Sequence, residues 1–351
     1  MPLIKVISPL SPGWLEHQIP TKAKSWGECT FTFDQNCSNY DWLVVYEDLG
    51  PAQGLRKNER SEKLGCQNEN TILFTSEPDS IKYYGDSFVK QFGHIFTSQR
   101  DWALSHPVKN FTQPSLAWMI GVSHHNANLT FEEILKLNIE NKSKEISLIM
   151  SNKAMGHTMH KARFNCLSYL SEKIKPISIF GRTPNALPLN DKKDALTPFK
   201  YTIALENHKS EHHWTEKIAD AFIAGTLPFY DGATNINSYF PPESFIQIDM
   251  TNPSQSLGII NEALDNKEYE KRKEAILHSR ELVIKKYNLF AVVNDYIRGN
   301  PIGISKADDE ILSRHAIRSS SLKINIRDHL NKTKAKIFSR INNQLEMKNR
   351  N

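Results

Sequence analysis

The chain has 351 residues, 39% hydrophobic and 24% charged, a balance suited to a globular protein with two cores of ordinary size. Its longest apolar runs, such as Leu43-Val44-Val45-Tyr46, fall far short of the roughly 20 residues of a membrane-spanning helix. The formal charge of +5 is unevenly spread: residues 313–351 hold ten Lys/Arg and two Asp/Glu, a balance of +8, which leaves −3 for the remainder and argues against a nucleic-acid-binding body.

The start, Met1-Pro2-Leu3-Ile4-Lys5-Val6-Ile7-Ser8, has neither the basic region nor the long apolar stretch of a secretion signal. It reads as a first strand, so a cytoplasmic location is expected. Cys29, Cys37, Cys66 and Cys166 form no C-x-x-C pair, and no disulfide is expected. Along the first part, near-continuous apolar runs predict strands over 4–7, 42–46, 72–75, 94–97 and 116–120. A helix over about 130–139 opens on Thr130 with Glu133 three residues on, the pattern of a capping box. Further strands are predicted over 146–150, 177–180, 202–205, 227–230 and 245–248, with helices over 159–170 and 215–224. Alternation of strand and helix argues for α/β architecture. The polar stretch Glu140-Asn141-Lys142-Ser143 separates two such sets, giving expected domains over 1–140 and 141–300.

Beyond Gly299-Asn300-Pro301 a tail is expected over 301–351. There Ile326, Leu330, Ile337, Ile341 and Leu345 fall at helical spacing among Lys332, Lys334, Lys336 and Arg340. A basic amphipathic helix of this kind suits the surface of an anionic membrane, so peripheral attachment on the inner face of the cell membrane is one expectation for residues 313–351. A helix packed on the body or on a second copy is another, and a disordered tail is the third.

The chemistry concentrates between Phe199 and Asp249. The strand over 202–205 ends in Glu206-Asn207, and ligands of open α/β sheets sit beyond the carboxyl ends of strands. The next helix opens with Thr215, Glu216 and Lys217. A helix start offers free N–H groups and a positive dipole end to phosphate, Lys217 adds a charge, and Glu216 can accept from ribose hydroxyls. The pattern suggests a phosphate-bearing, sugar-containing ligand. A capped helix with Glu216 and Lys217 merely solvated is the plainer reading. His208 and His212 have the i, i+4 spacing of zinc ligands but lie ahead of the predicted helix, and no metal is expected there.

The whole stretch resembles the donor-binding motif of the α-1,3/1,4-fucosyltransferases, glycosyltransferase family 10, in its bacterial branch. The matching residues are Ala204-Leu205-Glu206-Asn207, Thr215-Glu216-Lys217, Leu227-Pro228, Gly232 and Ser244-Phe245-Ile246-Gln247-Ile248-Asp249. The likeness extends upstream through Asp191-Lys192, Phe180-Gly181-Arg182, Arg163 and Ser151 to His157, and more thinly to Phe74-Thr75-Ser76-Glu77-Pro78. It implies a GT-B fold, in which two Rossmann-like domains face each other across a cleft, with acceptor-side residues in 1–140 and the nucleotide sugar held by 141–300. It also implies inverting transfer of L-fucose from GDP-β-L-fucose to a hydroxyl of an acceptor oligosaccharide or glycolipid, α-1,3 to a GlcNAc or Glc residue, without cofactor or metal. An alcohol needs a general base and a departing diphosphate needs cations. On the resemblance Glu77 is the base, Arg163 and Lys217 clamp the diphosphate, and Glu206, Asn207 and Glu216 contact the donor. Gly156, His157, Arg182 and His213 are further expected donor contacts. Two departures stand out: Leu205 replaces a Phe, and His213 stands where the family often has Tyr. The second keeps open a GT-B enzyme using another nucleotide sugar, and a non-catalytic glycan-binding relative is the third reading.

Overall fold

The structure, a computed structural model, describes residues 1–10, 13–50, 60–123, 126–151, 158–300 and 309–348. Gly156 and His157 lie outside the described residues. The elements in chain order begin with β1 (Leu3–Ile7), α1 (Gly13–Glu16), β2 (Ser25–Trp26), β3 (Cys29–Thr32), β4 (Trp42–Tyr46), β5 (Ser61–Lys63), β6 (Thr71–Phe74), α2 (Asp86–Val89), β7 (His94–Thr97) and β8 (Lys109–Phe111). They continue through β9 (Val122–Ser123), β10 (Asn126–Ala127), α3 (Phe131–Leu135), β11 (Lys144–Met150), α4 (His160–Lys173), β12 (Ser178–Gly181), α5 (Lys192–Leu196) and β13 (Phe199–Leu205). Then come α6 (Glu216–Ile223), β14 (Leu227–Asp231), β15 (Ile246–Gln247), α7 (Pro253–Asp265) and α8 (Glu268–Glu281). The chain closes with α9 (Leu289–Arg298), β16 (Glu310–Leu312), α10 (Arg314–Ser320) and α11 (Leu322–Lys348).

These elements form two compact units, drawn differently from the expected 1–140, 141–300 and 301–351. One contains Met1–Ser115 and takes the chain back from Leu289 onward, and the other is Leu116–Asn288. The first unit holds a sheet in the order β2-β3-β1-β4-β6-β7-β8, parallel except for the β2–β3 pair. Every residue of β4 and β6 is buried, which is why these runs carry no polar alternation. Leu43, Val45, Leu73, Phe88 and Ile95 share one core with Ile311 and Ile317 from the far end of the chain. The stretch after 301 is therefore not all appendage. β16 pairs antiparallel with β5, and Arg314 donates to the carbonyls of Tyr83 and Tyr84. Along α9, Phe290 meets Phe31 edge-on at 4.9 Å and Tyr296 meets Phe96 at 4.9 Å.

The second unit holds a wholly parallel sheet in the order β12-β11-β13-β14-β15. Thr130 caps α3 with the expected reciprocal bonds to Glu133. Lys142, in the stretch expected to separate the domains, gathers the far ends of α5 and α6: its ammonium donates to Thr197 O at 2.8 Å, Ala224 O at 2.5 Å and Thr226 Oγ1 at 3.1 Å.

Residues 116–120 are not a strand, contrary to expectation. Trp118 and Ile120 are buried as apolar residues should be. The backbone N–H groups of Met119 and Gly121, however, go to the carboxylates of Asp220 (3.0 Å) and Asp191 (2.9 Å) instead of to a neighbouring strand. The remaining predicted strands each overlap an observed one, and each unit is an α/β unit built on a parallel sheet, as the GT-B expectation has it.

Candidate functional site

In the second unit the chain leaves β11 for β12 on one side and later returns to place β13 on the other, so strand order reverses between β11 and β13. Ligand crevices of open parallel sheets form at such a switch, beyond the carboxyl ends of the strands. A pocket of about 290 Å³ lies there. Ile149 and Ser151 line it from the end of β11, Leu205 and Asn207 from the end of β13, and His160, Arg163, Glu216 and Lys217 from the first turns of α4 and α6. Lys192 from α5 completes the charged wall.

The second of these helices begins where it does because Thr215 caps it, its hydroxyl accepting from the Lys217 N–H. Thr215 is itself held by Glu206, a fully buried carboxylate that accepts from the Thr215 N–H (2.8 Å) and hydroxyl (2.7 Å). The Lys217 ammonium then sits 3.0 Å from Glu206 Oε2, 2.9 Å from Thr215 Oγ1 and 3.3 Å from Glu216 Oε1. Gly232 makes room for this arrangement, since a Cβ there would lie 2.4 Å from Cγ of Glu206. Lys192 reaches Asp220 at 2.9 Å and Glu216 at 3.4 Å. Burial works against its charge, but Asp220 and Glu216 raise its pKa, so it remains an ammonium. Burial likewise pushes the Glu216 carboxyl up, yet Lys217 and Lys192 beside it hold it well below the usual carboxylate range. Glu216 is thus an acceptor-only group, suited to hydroxyls.

Arg163 differs from the two lysines. Its Nη2 lies 3.4 Å from the Ile149 carbonyl, and its buried Nε–H has no acceptor among the described residues. A desolvated N–H without an acceptor is costly unless a ligand supplies one. Asn207 stands beside His160, with Nδ2 to Nε2 at 3.4 Å, and its carbonyl accepts from the Met159 N–H. Three cations and two helix starts therefore converge on one crevice, an arrangement that can take up a phosphate group.

Of the residues singled out in sequence, Arg163, Asn207, Glu216 and Lys217 are brought together here. Glu206 lies behind them as the buried partner of Thr215 and Lys217. His213 is buried and does not line the pocket, and its pKa is driven far down by burial first and by His208 and Lys217 next. Arg182 is exposed and also outside the lining. Lys192, His160 and Asp220 line the pocket without having been singled out as site residues. Lys192 was within reach, since it opens a helix behind the N-cap Asp191 in a stretch that carries the resemblance.

Glu77 belongs to the first unit, in the loop after β6. Its backbone is held by a residue that sequence reasoning passed over, Glu47, which follows β4. The buried Glu47 carboxylate accepts from the Ser76 hydroxyl (2.6 Å), the Glu77 N–H (3.2 Å), the Tyr84 hydroxyl and the Lys82 ammonium. Burial raises its pKa, but Lys82 and the hydrogen bonds outweigh it and hold the carboxyl below its ordinary value. From the other side Gln99 Nε2 donates to the Glu77 carbonyl at 2.8 Å. The Glu77 main chain is thus fixed at two points.

The second unit is a doubly wound α/β unit with a cation-lined crevice at its switch point. Residues 139–273 match the family described as glycosyltransferase family 10 (fucosyltransferase) C-term. Among relatives, the chain is 31% identical over 90 residues to "Alpha-(1,3)-fucosyltransferase FucT" of Helicobacter pylori, covering 25% of this chain and 19% of the relative. It is 29% identical over 133 residues to "4-galactosyl-N-acetylglucosaminide 3-alpha-L-fucosyltransferase 9" of Homo sapiens, covering 36% and 35%. The matched segments thus span about a third or less of these relatives' own lengths. A solved structure described as alpha1,3-fucosyltransferase with GDP-fucose aligns over 82% of this chain and 92% of its own, at 16% identity and a TM-score of 0.41.

Proposed function

We propose that the chain is an inverting fucosyltransferase, moving L-fucose from GDP-β-L-fucose to a hydroxyl of an acceptor glycan, α-1,3 to a GlcNAc or Glc residue, without a metal. The observation that carries the reading is the crevice of the segment that matches family 10, where Arg163 presents an N–H unmatched among the described residues, beside Lys192 and Lys217. In this reading Arg163 and Lys217 hold the diphosphate and stabilise the charge that develops as GDP leaves. Glu216 accepts from a ribose hydroxyl. Glu206 acts one step back, keeping Lys217 and the helix start in place. Glu77 takes the proton of the incoming hydroxyl, its loop fixed by Glu47 and Gln99. GDP release from GDP-fucose with N-acetyllactosamine or lactose as acceptor tests the proposal. Turnover is expected, abolished by Glu77→Ala with GDP affinity retained. No turnover, or an unimpaired Glu77→Ala variant, refutes it.

A second reading, transfer from another nucleotide sugar, is favoured by one observation. Among the described residues lining the crevice none is Phe, Tyr or Trp, and His213 lies outside it. Calorimetry with GDP-fucose, GDP-mannose and UDP-sugars separates the two: tightest binding of a UDP-sugar would displace the fucose reading.

Peripheral attachment of this enzyme to the cytoplasmic face of a membrane is the proposed role of α11. It is supported by Ile326, Leu330 and Ile337, which are 53%, 60% and 55% exposed on a helix rich in Lys and Arg. Replacing these three by Ser should lower binding to vesicles containing phosphatidylserine, and equal binding would dismiss the role.

A further inference from the structure

A second cleft lies wholly within the first unit, where α11 crosses the segment 83–105. Its volume, about 230 Å³, is below the roughly 300–1,000 Å³ of sites for drug-sized molecules and suits one or two small rings. Its wall combines an aromatic surface with oriented polar groups. Trp102 remains 40% exposed and Phe338 54%, with ring centres 5.9 Å apart. Opposed to this apolar surface in chemistry is a relay: Asn331 Nδ2 donates to the Tyr83 hydroxyl at 3.1 Å, which donates to Asp86 Oδ1 at 2.8 Å. Burial of Tyr83, with Asp86 nearby, raises its phenol to about 12, so the hydroxyl remains a donor and keeps Asp86 oriented. Asp101 and Lys334 complete the lining.

The composition selects among ligand classes. An anion would meet the carboxylates of Asp86 and Asp101, the latter paired with Lys109 at 2.7 Å, with Lys334 as the one lysine among the described lining residues. A quaternary ammonium would find aromatic rings and carboxylates, but Lys334 lines the same cleft, and the Arg100 guanidinium already lies 5.4 Å from the Trp102 ring centre. A wholly apolar ligand would strip water from the Lys334 ammonium and from the Asp86 carboxylate, whose one bond to Tyr83 leaves further acceptor capacity, without replacing it. A neutral pyranose meets every group: one face carries C–H groups for the indole and phenyl rings, and its rim carries hydroxyls that donate to Asp86 and Asp101 and accept from Lys334 and Asn331. We propose that this cleft is a saccharide-binding site, with Trp102 and Phe338 as its apolar platform and Asp86 as its principal hydroxyl acceptor. It adds to the transfer reading and does not depend on it.

The test follows the Trp102 indole N–H in 1H–15N spectra of the full chain, its cross-peak identified by its loss in Trp102→Phe. Titration with N-acetyllactosamine, and separately with the methyl glycosides of galactose and N-acetylglucosamine, should shift that peak with saturation in the millimolar range. Phe338→Ala and Asp86→Asn should each weaken the response by roughly three- to tenfold. Trp102 and Phe338 are half exposed, so their variants should melt as the parent does. No shift with any of these saccharides overturns the proposal, as does a shift produced by choline alone, which would mark a quaternary-ammonium site. GDP calorimetry on the same samples keeps the readings apart. Loss of GDP binding with the Trp102 shift retained would count against the transferase and not against this cleft, and the converse result would count against the cleft alone.

Discussion

Replacing Lys217 by Met removes two things at once. One is a cation placed for the diphosphate, and a hydrogen bond to a charged group contributes about 1.5–3 kcal/mol, so GDP affinity should fall roughly 10- to 150-fold. The other is the countercharge of Glu206, a fully buried carboxylate 3.0 Å from the ammonium. Breaking a buried pair from one side typically costs about 3–5 kcal/mol. Here the loss should sit at the lower end of that range, because Thr215 still donates its N–H and hydroxyl to Glu206. Lys217→Met should therefore lower both the melting temperature and GDP affinity. Adding Glu206→Gln neutralises the stranded charge while keeping an acceptor for Thr215. The double variant should recover most of the lost stability, read by thermal denaturation, and none of the lost GDP affinity, read by calorimetry. If GDP affinity returns together with the melting temperature, Lys217 serves the fold and not the ligand, and the assignment of the crevice to a diphosphate loses its chief cation.

Arg163→Lys should weaken GDP by roughly tenfold in calorimetry with little change in melting temperature, because the fork of N–H donors is lost while the charge remains. Glu47→Gln should lower kcat while leaving GDP affinity unchanged, since Glu47 fixes the Glu77 loop in the other unit. The same variant carries a pH signature. The folded pKa of Glu47 lies below its ordinary 4.5, so its stabilising effect is complete above that value and is lost as pH falls through the folded pKa. Denaturation of the parent below about pH 4.5 should thus be steeper than that of Glu47→Gln, and parallel curves would contradict the account. Lys142→Met leaves the carbonyls of Thr197 and Ala224 without their donor and should destabilise by roughly 1–3 kcal/mol in denaturant titration.

Most strands were legible because both faces of a central parallel strand are buried, and an unbroken apolar run such as Trp42-Leu43-Val44-Val45-Tyr46 reports that directly. The same signal misleads at 116–120. Apolar residues announce burial, but they do not announce which group takes the backbone N–H, and here Asp220 and Asp191 take it. In the crevice, Glu216 and Lys217 were legible because a cap and a helix start are local features. Glu47 was not, because its meaning depends on Ser76, Glu77, Lys82 and Tyr84, some thirty or more residues on. The return of the chain into the first unit was hidden for a related reason: a three-residue strand such as β16 has too little pattern to name its partner β5.

That return bears on how the protein comes into being. As a nascent chain leaves the ribosome, Leu116–Asn288 emerges as one uninterrupted stretch with its sheet and covering helices all present, and it can fold while synthesis continues. The older portion cannot. Until Ile311 and Ile317 arrive, the core of Leu43, Val45, Leu73 and Phe88 is short of part of its cover, and β5 has an open edge. The first-made part of the chain is therefore the last finished, and over that interval its apolar strands are the segment most in need of a chaperone.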